Sequence, residues 1–504
     1  MVDGLRSEPL LSLRDHLRTS RFASQFAPSL VHVSGTIAML KERDPDVSRA
    51  EEMGISLFAG EAEDRLGQVL RDAWEGKLQP AYNFMNDLPD LENAAMPLLP
   101  VARVKRTFGA NTSFDAGRGC PFQCSFCTII NVQGRKSRRR SPDDIEQIVR
   151  ANVAQGIHSF FITDDNFARN RNWEAILDRL IQLREVEKLR IKFIIQVDTA
   201  CHRLPNFIEK AARAGVKRVF IGLENINPDS LLGAKKPQNK ITEYRRMLLA
   251  WKQVGVLTYC GYILGFPGDT PDSILSDIRV IQKELPVDLL EFFYLTPLPG
   301  SEDHRKLHES GTWMDPDMNR YDLNHVTSQH PRMSREEWQQ TYRLAWETYY
   351  TTGHIETVLR RAMATGLSPG KALFFITWFK GCIGIEKIHP LEGGFLRCKF
   401  RRDRRSGFRV EPSWLFYPKY LAETGWKQFR WFSLYLRLWL INHRVRSDAR
   451  AREYMDLALE PVLDDELENR ELFQLETAQA YVAQIRRLDK VARSEARQAK
   501  ASVV

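Results

Sequence analysis

Short apolar runs alternate with amphipathic stretches along the first three hundred residues. LVHVSG (30–35) and ISLFAG (55–60) are apolar runs closed by glycine, the pattern of short buried strands. EAEDRLGQVLRDAWEG (61–76) has helical spacing and stops at Gly76, and PLLPVAR (97–103) reads as an irregular linker. From about 111 to 300 the pattern predicts strands at 112–116, 159–163, 192–197, 218–223, 257–264 and 290–296. Helical stretches lie between them, including PDDIEQIVRANVAQG (142–156) and LPNFIEKAARAG (204–215), which closes on Gly215. Six strands alternating with helices predict an α/β fold around a parallel sheet, open or as a partial barrel. In either form the functional groups belong at the C-terminal ends of the strands. After about 310 the strand signals stop. SREEWQQTYRLAWETYY (334–350) opens as a capped helix, with Ser334 three residues before Glu337. There is no internal repeat.

Composition adds two constraints. The 504 residues suffice for roughly two to four domains, and neither a secretory leader nor a membrane-spanning apolar run is visible. Seven cysteines, three of them within eight residues, do not form a disulfide framework in a chain of this kind, so a reducing, cytoplasmic setting is expected. The net charge of +9 is concentrated: residues 397–450 carry 14 Lys/Arg against 4 Asp/Glu, which leaves the rest of the chain near neutrality.

The chemistry is concentrated in GCPFQCSFC, where Cys120, Cys124 and Cys127 are placed to hold one iron–sulfur cluster. A 4Fe-4S cluster takes four ligands, and Cys201, Cys260, Cys382 and Cys398 are all distant in sequence. One iron is therefore left open to an exchangeable ligand. Zinc and three ordinary buried thiols are the other readings, although structural zinc calls for four closed ligands and none follows at finger spacing. Cys201 and Cys260 read as small buried residues. Tyr262 lies near a strand end without a mark of catalysis.

This motif resembles the C-x-x-x-C-x-aromatic-C signature of the radical S-adenosylmethionine (SAM) superfamily. The resemblance implies a partial (β/α)6 TIM-like barrel, a 4Fe-4S cluster, and SAM chelated at the open iron by its amino and carboxylate groups. Reductive cleavage of SAM would yield a 5′-deoxyadenosyl radical that takes hydrogen from a substrate. Phe126 is then the aromatic residue near the adenine. TDDNF places Asp164 and Asp165 at a strand end, where the family binds the SAM ammonium, with a helix cap as the other reading. IIQVD places Gln196 and Asp198, and IGLEN places Glu224, at the next two strand ends, suited either to ribose and carboxylate or to neighbouring loops. GYILGFPGDT and LTPLPGS end the fifth and sixth strands, and Gly265 and Gly268 allow close backbone approach to a ligand.

Taken together, these strand-end motifs resemble the cobalamin-associated branch, which includes methylases of unactivated carbons and oxidative cyclases. VHVSGTIAML (31–40) and residues 60–82 resemble parts of its N-terminal cobalamin domain, here shortened. The D-x-H-x-x-G signature is absent, and neither His16 nor His32 has an aspartate two residues before it. Cobalamin is thus an open expectation. Methyl transfer to an apolar substrate is the first functional expectation. Radical oxidoreduction or oxidative cyclisation without methyl transfer is an alternative, and a non-catalytic iron–sulfur scaffold is another.

The expected organisation is a truncated cobalamin-binding-like region (1–100), a radical SAM core (101–310), a helical extension (311–390), a basic aromatic segment (391–450) and a helical tail (451–504). The basic segment, with KFRRDRRSGFR, WLFYPKY and FRWFSLYLRLWLINHR, admits a helical cap, a membrane surface or lipid-like substrate, a nucleic-acid groove, or a protein partner. Of these, nucleic acid is the less favoured. The expected partners are a small-molecule substrate, an electron donor such as flavodoxin or ferredoxin, and peripheral contact with the inner face of the membrane through 397–450.

Overall fold

A computed structural model describes residues 52–105, 110–394, 399–402, 404, 409–463, 470–474, 478–479 and 482–483. The expectations on 30–40 and on most of 451–504 lie outside the described residues. The chain divides into two compact units, comprising the described parts of Met1–Ile195, Thr296–Gln329 and Gly381–Tyr435, and of Gln196–Leu295, His330–Lys380 and Leu436–Val504.

In the first unit, β1 (Leu57–Ala59) and β2 (Ala81–Asn83) pair in parallel around the connecting helix α1 (Leu66–Trp74), with Phe58, Val69 and Tyr82 at its small core. Residues 97–103 are not wholly irregular: Val101–Val104 form a single helical turn. Strand β3 (Asn111–Phe114) then leads into an antiparallel hairpin, β4 (Gly117–Arg118) and β5 (Arg138–Arg139), which encloses the cysteine motif. Helix α2 (Pro142–Ala154) starts in a capping box: Ser141 Oγ accepts the Asp144 N–H at 3.1 Å and the Asp144 carboxylate accepts the Ser141 N–H at 2.9 Å. Its apolar stripe of Ile145, Ile148 and Val149 is buried. Strands β6 (Ser159–Ile162) and β7 (Lys192–Val197) follow, separated by α3 (Trp173–Ile181).

The second unit carries α4 (Phe207–Ala214), β8 (Val216–Glu224), α5 (Ile241–Gln253), β9 (Leu257–Leu264), α6 (Pro271–Glu284) and β10 (Leu289–Tyr294). Gly215 ends α4 at φ 108°, a left-handed conformation that glycine adopts without a Cβ penalty. Helices α7 (Arg335–Tyr349), α8 (Thr352–Ala364) and α9 (Pro369–Gly381) follow. Ser334 caps α7 as expected, its hydroxyl accepting the Glu337 N–H at 3.2 Å. Tyr342 of α7 stacks on Tyr294 with ring centroids 4.1 Å apart, and Trp346 meets Phe292 edge-on at 5.2 Å. Lys252 and Asp288, each 1% exposed, form a buried ion pair, and Asp288 also accepts the Thr258 N–H and hydroxyl at 2.9 Å.

The sheet has the order β3-β6-β7-β8-β9-β10, with parallel pairing and strands in chain order. Right-handed crossovers between sequential parallel strands place their helices on one face, the arrangement of a partial (β/α)6 barrel. All six strands expected from the sequence are present within two residues of their expected bounds. The C-terminal region is mainly helical and ends its described part with one long helix, α10 (Ser413–Ser447), that the segment-by-segment pattern did not reveal.

Two tests of this packing follow. Gly265 closes β9 at φ +101°, and a Cβ there would fall 1.9 Å from Trp338 Cζ2. Gly265→Ala is expected to cost about 2–4 kcal/mol of stability in urea unfolding, from left-handed strain plus overpacking, with partial recovery in the Trp338→Leu background. Asp277, which accepts the Tyr262 hydroxyl at 3.1 Å, has its carboxyl pushed up to about 7 by burial. Because the folded value lies above the unfolded one, its contribution is complete below about pH 4 and is lost as pH rises through about 7. Asp277→Asn should flatten the decline in unfolding free energy between those pH values.

Candidate functional site

The cysteine loop is shaped by its own backbone. The Cys120 N–H donates to Gly134 O at 3.2 Å, the Gly119 N–H donates to Gln133 Oε1 at 3.2 Å, and the Cys127 N–H donates to Cys124 O at 3.1 Å. Gly119 stands at φ +94°, and a Cβ there would lie 2.5 Å from Lys136 O, so the turn into the first cysteine requires glycine. On the far side, the Asp303 N–H donates to Ser125 O at 3.1 Å and Asn131 Nδ2 donates to Gly300 O at 2.6 Å. The LTPLPGS motif thereby holds the loop, a role its sequence did not disclose.

All three cysteines are half-buried. Burial pushes the Cys127 thiol up to about 12, the Ile129 N–H opposes this, and Cys124, Asp165 and Cys120 add to it. The three sulfurs and the Asp165 carboxylate thus share one electrostatic neighbourhood. Such thiols ionise readily only when a cation takes the charge. Among the described residues no three His, Cys, Asp or Glu side chains converge closely enough to share a single metal ion. Thiolates that each bond a different iron of a cluster stand further apart than thiolates sharing one ion. A three-sulfur donor set with no fourth cysteine on the loop fits a 4Fe-4S cluster with one open iron.

Charge pairing braces the base of this loop. Arg118, two residues before Cys120, donates to Asp115 at 2.9 Å and Glu63 at 2.6 Å and also pairs with Glu61. Arg138, across the hairpin, shares Glu61 and donates to Pro89 O at 2.9 Å. Glu61 and Glu63 follow β1, so the N-terminal region is tied directly to the cluster hairpin. The two arginines and two glutamates are far apart in sequence, and no spacing rule links them.

Asp164 and Asp165 have different roles. Asp164 is buried, and its Oδ1 accepts the N–H groups of Ala116 at 2.7 Å and Gly117 at 2.8 Å while Oδ2 accepts Asn170 Nδ2 at 2.8 Å. Burial pushes its carboxyl up to about 7 against the pull of those three donors. A Cβ on Gly117 would lie 2.7 Å from Asn170 Nδ2. Asp164 therefore fixes the turn between β3 and β4. Asp165 is half-buried, its carboxyl pushed up to about 6 by burial, and it is the member of the pair that acts on Cys127. Phe126 lies half-buried on the same loop.

In the second unit, Gln196 is half-buried in β7, and Asp198 is buried with Oδ1 accepting the Ala200 N–H at 2.8 Å. Glu224 ends β8 at a register shift with φ +63°, an uncommon conformation for a residue with a side chain. It pairs with Lys236, whose Nζ also donates to Gly222 O at 3.3 Å. Lys236 was not legible as a site residue. Gly265 carries the packing demand described above, while its N–H and that of Phe266 donate to Asp269 at 2.9 Å. Gly268 is exposed, and a Cβ there would meet no atom within 4 Å. Cys201 and Cys260 are fully buried, as expected of small core residues.

A parallel sheet in chain order, with a three-cysteine loop after its first strand, defines a class of iron–sulfur proteins built on a partial barrel. Residues 116–281 match the family model described as the radical SAM superfamily, so the chain carries a radical SAM domain. Among curated proteins it is 28% identical over 251 residues to the hopanoid C-2 methylase of Rhodopseudomonas palustris, covering 47% of this chain and 46% of that protein. It is 25% identical over 291 residues to the bacteriochlorophyllide d C-12(1)-methyltransferase of Chlorobaculum tepidum, covering 56% and 61%. The chain thus spans about half to three-fifths of the length of these relatives. A solved structure of the radical SAM methyltransferase TsrM from Kitasatospora setae, with cobalamin and a [4Fe-4S] cluster, is 17% identical at a TM-score of 0.46, covering 60% of this chain and 66% of that one.

Iron analysis tests the donor set. After anaerobic reconstitution the wild-type chain should hold about four iron per monomer, and each of Cys120→Ala, Cys124→Ala and Cys127→Ala should lose most of it. Cys201→Ala and Cys260→Ala should retain it. Equal loss in all five would contradict the assignment.

Proposed function

We propose that this protein is a radical SAM enzyme that functionalises an unactivated C–H bond of a small apolar molecule, with methyl transfer as the reaction. The observation that carries the reading is the three-cysteine loop with the Asp165 carboxylate inside the electrostatic field of Cys127. When bound, the reduced cluster supplies an electron that breaks the C5′–S bond of SAM, giving the radical that abstracts hydrogen. Cys120, Cys124 and Cys127 hold three irons and leave the fourth for the amino and carboxylate groups of SAM. Asp165 receives the ammonium charge, while Asp164 keeps the loop in place by accepting the Ala116 and Gly117 N–H groups. Phe126 offers a ring face to the adenine. Gln196, Asp198 and Glu224, with the backbone at Gly265 and Gly268, serve the ribose and carboxylate. Residues 101–310 act as the catalytic core and 311–390 as its helical extension.

Methyl transfer is favoured because the named relatives above are methylases. Cobalamin, the methyl carrier of that branch, would need more than the described N-terminal region supplies. Residues 52–105 give two strands and one principal helix and contain no histidine. No step is assigned to it here. An electron donor of the flavodoxin or ferredoxin type would supply the reducing equivalent. No helix among the described residues is long and apolar enough to cross a membrane. Peripheral contact at the inner face of the membrane, through residues 397–450, would bring an apolar substrate within reach.

Anaerobic incubation with SAM and dithionite tests the chemistry. The expected products are 5′-deoxyadenosine and, for methyl transfer, S-adenosylhomocysteine. Formation of 5′-deoxyadenosine alone would favour radical oxidoreduction, and cluster loading with neither product would remove the enzyme reading. Asp165→Asn should raise the KM for SAM by about tenfold with iron content unchanged.

A further inference from the structure

Helix α10 has two apolar faces. One is buried: Trp431, Leu434, Leu438 and Ile441 point inward, and Trp431 Nε1 donates to Glu386 Oε1 at 3.1 Å. Gly381 at the end of α9 makes room for that indole, since a Cβ there would fall 2.0 Å from its ring. The opposite face is also apolar and is exposed. Trp414, Leu421, Phe429 and Phe432 are 77%, 66%, 60% and 64% exposed, and Tyr435 and Trp439 continue the same stripe. At 100° per residue these positions fall within a sector of roughly 120°, and at 1.5 Å per residue the stripe from 414 to 439 is about 38 Å long. A monomer surface rarely leaves so long an aromatic row in water.

Charge runs along one edge of this stripe. Lys419, Arg430, Arg437 and Arg444 occupy neighbouring angles on the helical wheel, whereas Glu423 lies on the far side, bonded to Lys399 at 2.7 Å and Lys427 at 3.0 Å. Glu411 is paired with Arg404 at 3.4 Å. The acidic groups nearby are thus held by other bases, and the exposed row keeps its positive charge.

We propose that the exposed face of α10 is a docking surface for an anionic lipid bilayer, on which the helix lies flat. Trp and Tyr favour the water–lipid boundary, the aromatic row would sink to the level of the acyl chains, and the lysine–arginine edge would meet anionic headgroups. The helix is not apolar enough to cross the bilayer. This inference deepens the peripheral contact proposed above by naming the surface that makes it. It is tested without cluster or SAM, so its failure and the failure of the radical reading are separable.

The test is co-flotation of the full chain with vesicles of phosphatidylcholine alone or with 30% phosphatidylglycerol, at low and high salt. The expected result is binding to the anionic vesicles, weakened at least severalfold by high salt. Phe432→Glu should reduce it about tenfold or more, and Arg430→Gln with Arg437→Gln should lower both binding and its salt dependence. These side chains are solvent-facing, so helical circular dichroism should stay unchanged. Absence of flotation at low salt would overturn the proposal. So would flotation indifferent to Phe432→Glu, or a dimer in sedimentation that Phe432→Glu dissociates, which would assign the face to a second copy of the chain.

Discussion

The Asp164 carboxylate governs the geometry on which the candidate site depends. It sits at the end of β6 and accepts two consecutive backbone N–H groups at Ala116 and Gly117, where the chain leaves β3 and turns toward the cysteines. Asn170 fills its other oxygen. Those N–H groups lie between strands and have no ladder partner of their own, and a buried donor left unpaired costs about 1–3 kcal/mol. One side chain thus satisfies two such donors and sets the direction of the loop that carries Cys120. A carboxylate buried for this purpose has its pKa driven up to about 7, the cost of removing it from water.

The remaining loop contacts extend that constraint. Arg118 and Arg138 close the base of the hairpin on Glu61, and the backbone after β10 closes its far side through Ser125. The cysteines themselves contribute little to this order. Three buried thiols repel ionisation in one another, so the loop without a cation is held by its surroundings and is primed for a positively charged cluster. Fixing the donors before the ligand arrives limits the conformational entropy lost on binding.

The sheet was legible in the sequence because its strands are apolar runs bounded by helical stretches, a signal local to each segment. The cysteines were legible because their spacing is itself local. The division of labour between Asp164 and Asp165 was not: adjacent residues at a strand end point in different directions, and only the backbone of β3 and β4 determines which carboxylate is consumed. Lys236 beside Glu224, and the arginine brace on Glu61, join residues separated by 12 to 77 positions in contacts that follow no periodicity. At Gly265 the glycine was legible but its immediate packing demand was not, because Trp338 arrives from a helix 73 residues later. The long helix α10 was hidden for a different reason. Aromatic residues occupy both of its faces, which erases the amphipathic contrast by which a helix is read.

The central claim is that the three-cysteine loop carries a cluster with one iron open to SAM. The most direct test is the electron paramagnetic resonance spectrum of the reconstituted, dithionite-reduced protein with and without SAM. The account predicts a 4Fe-4S+ signal whose g values shift on adding SAM, as its amino and carboxylate groups enter the iron's coordination sphere. A full 4Fe-4S+ signal left unchanged by saturating SAM would contradict it.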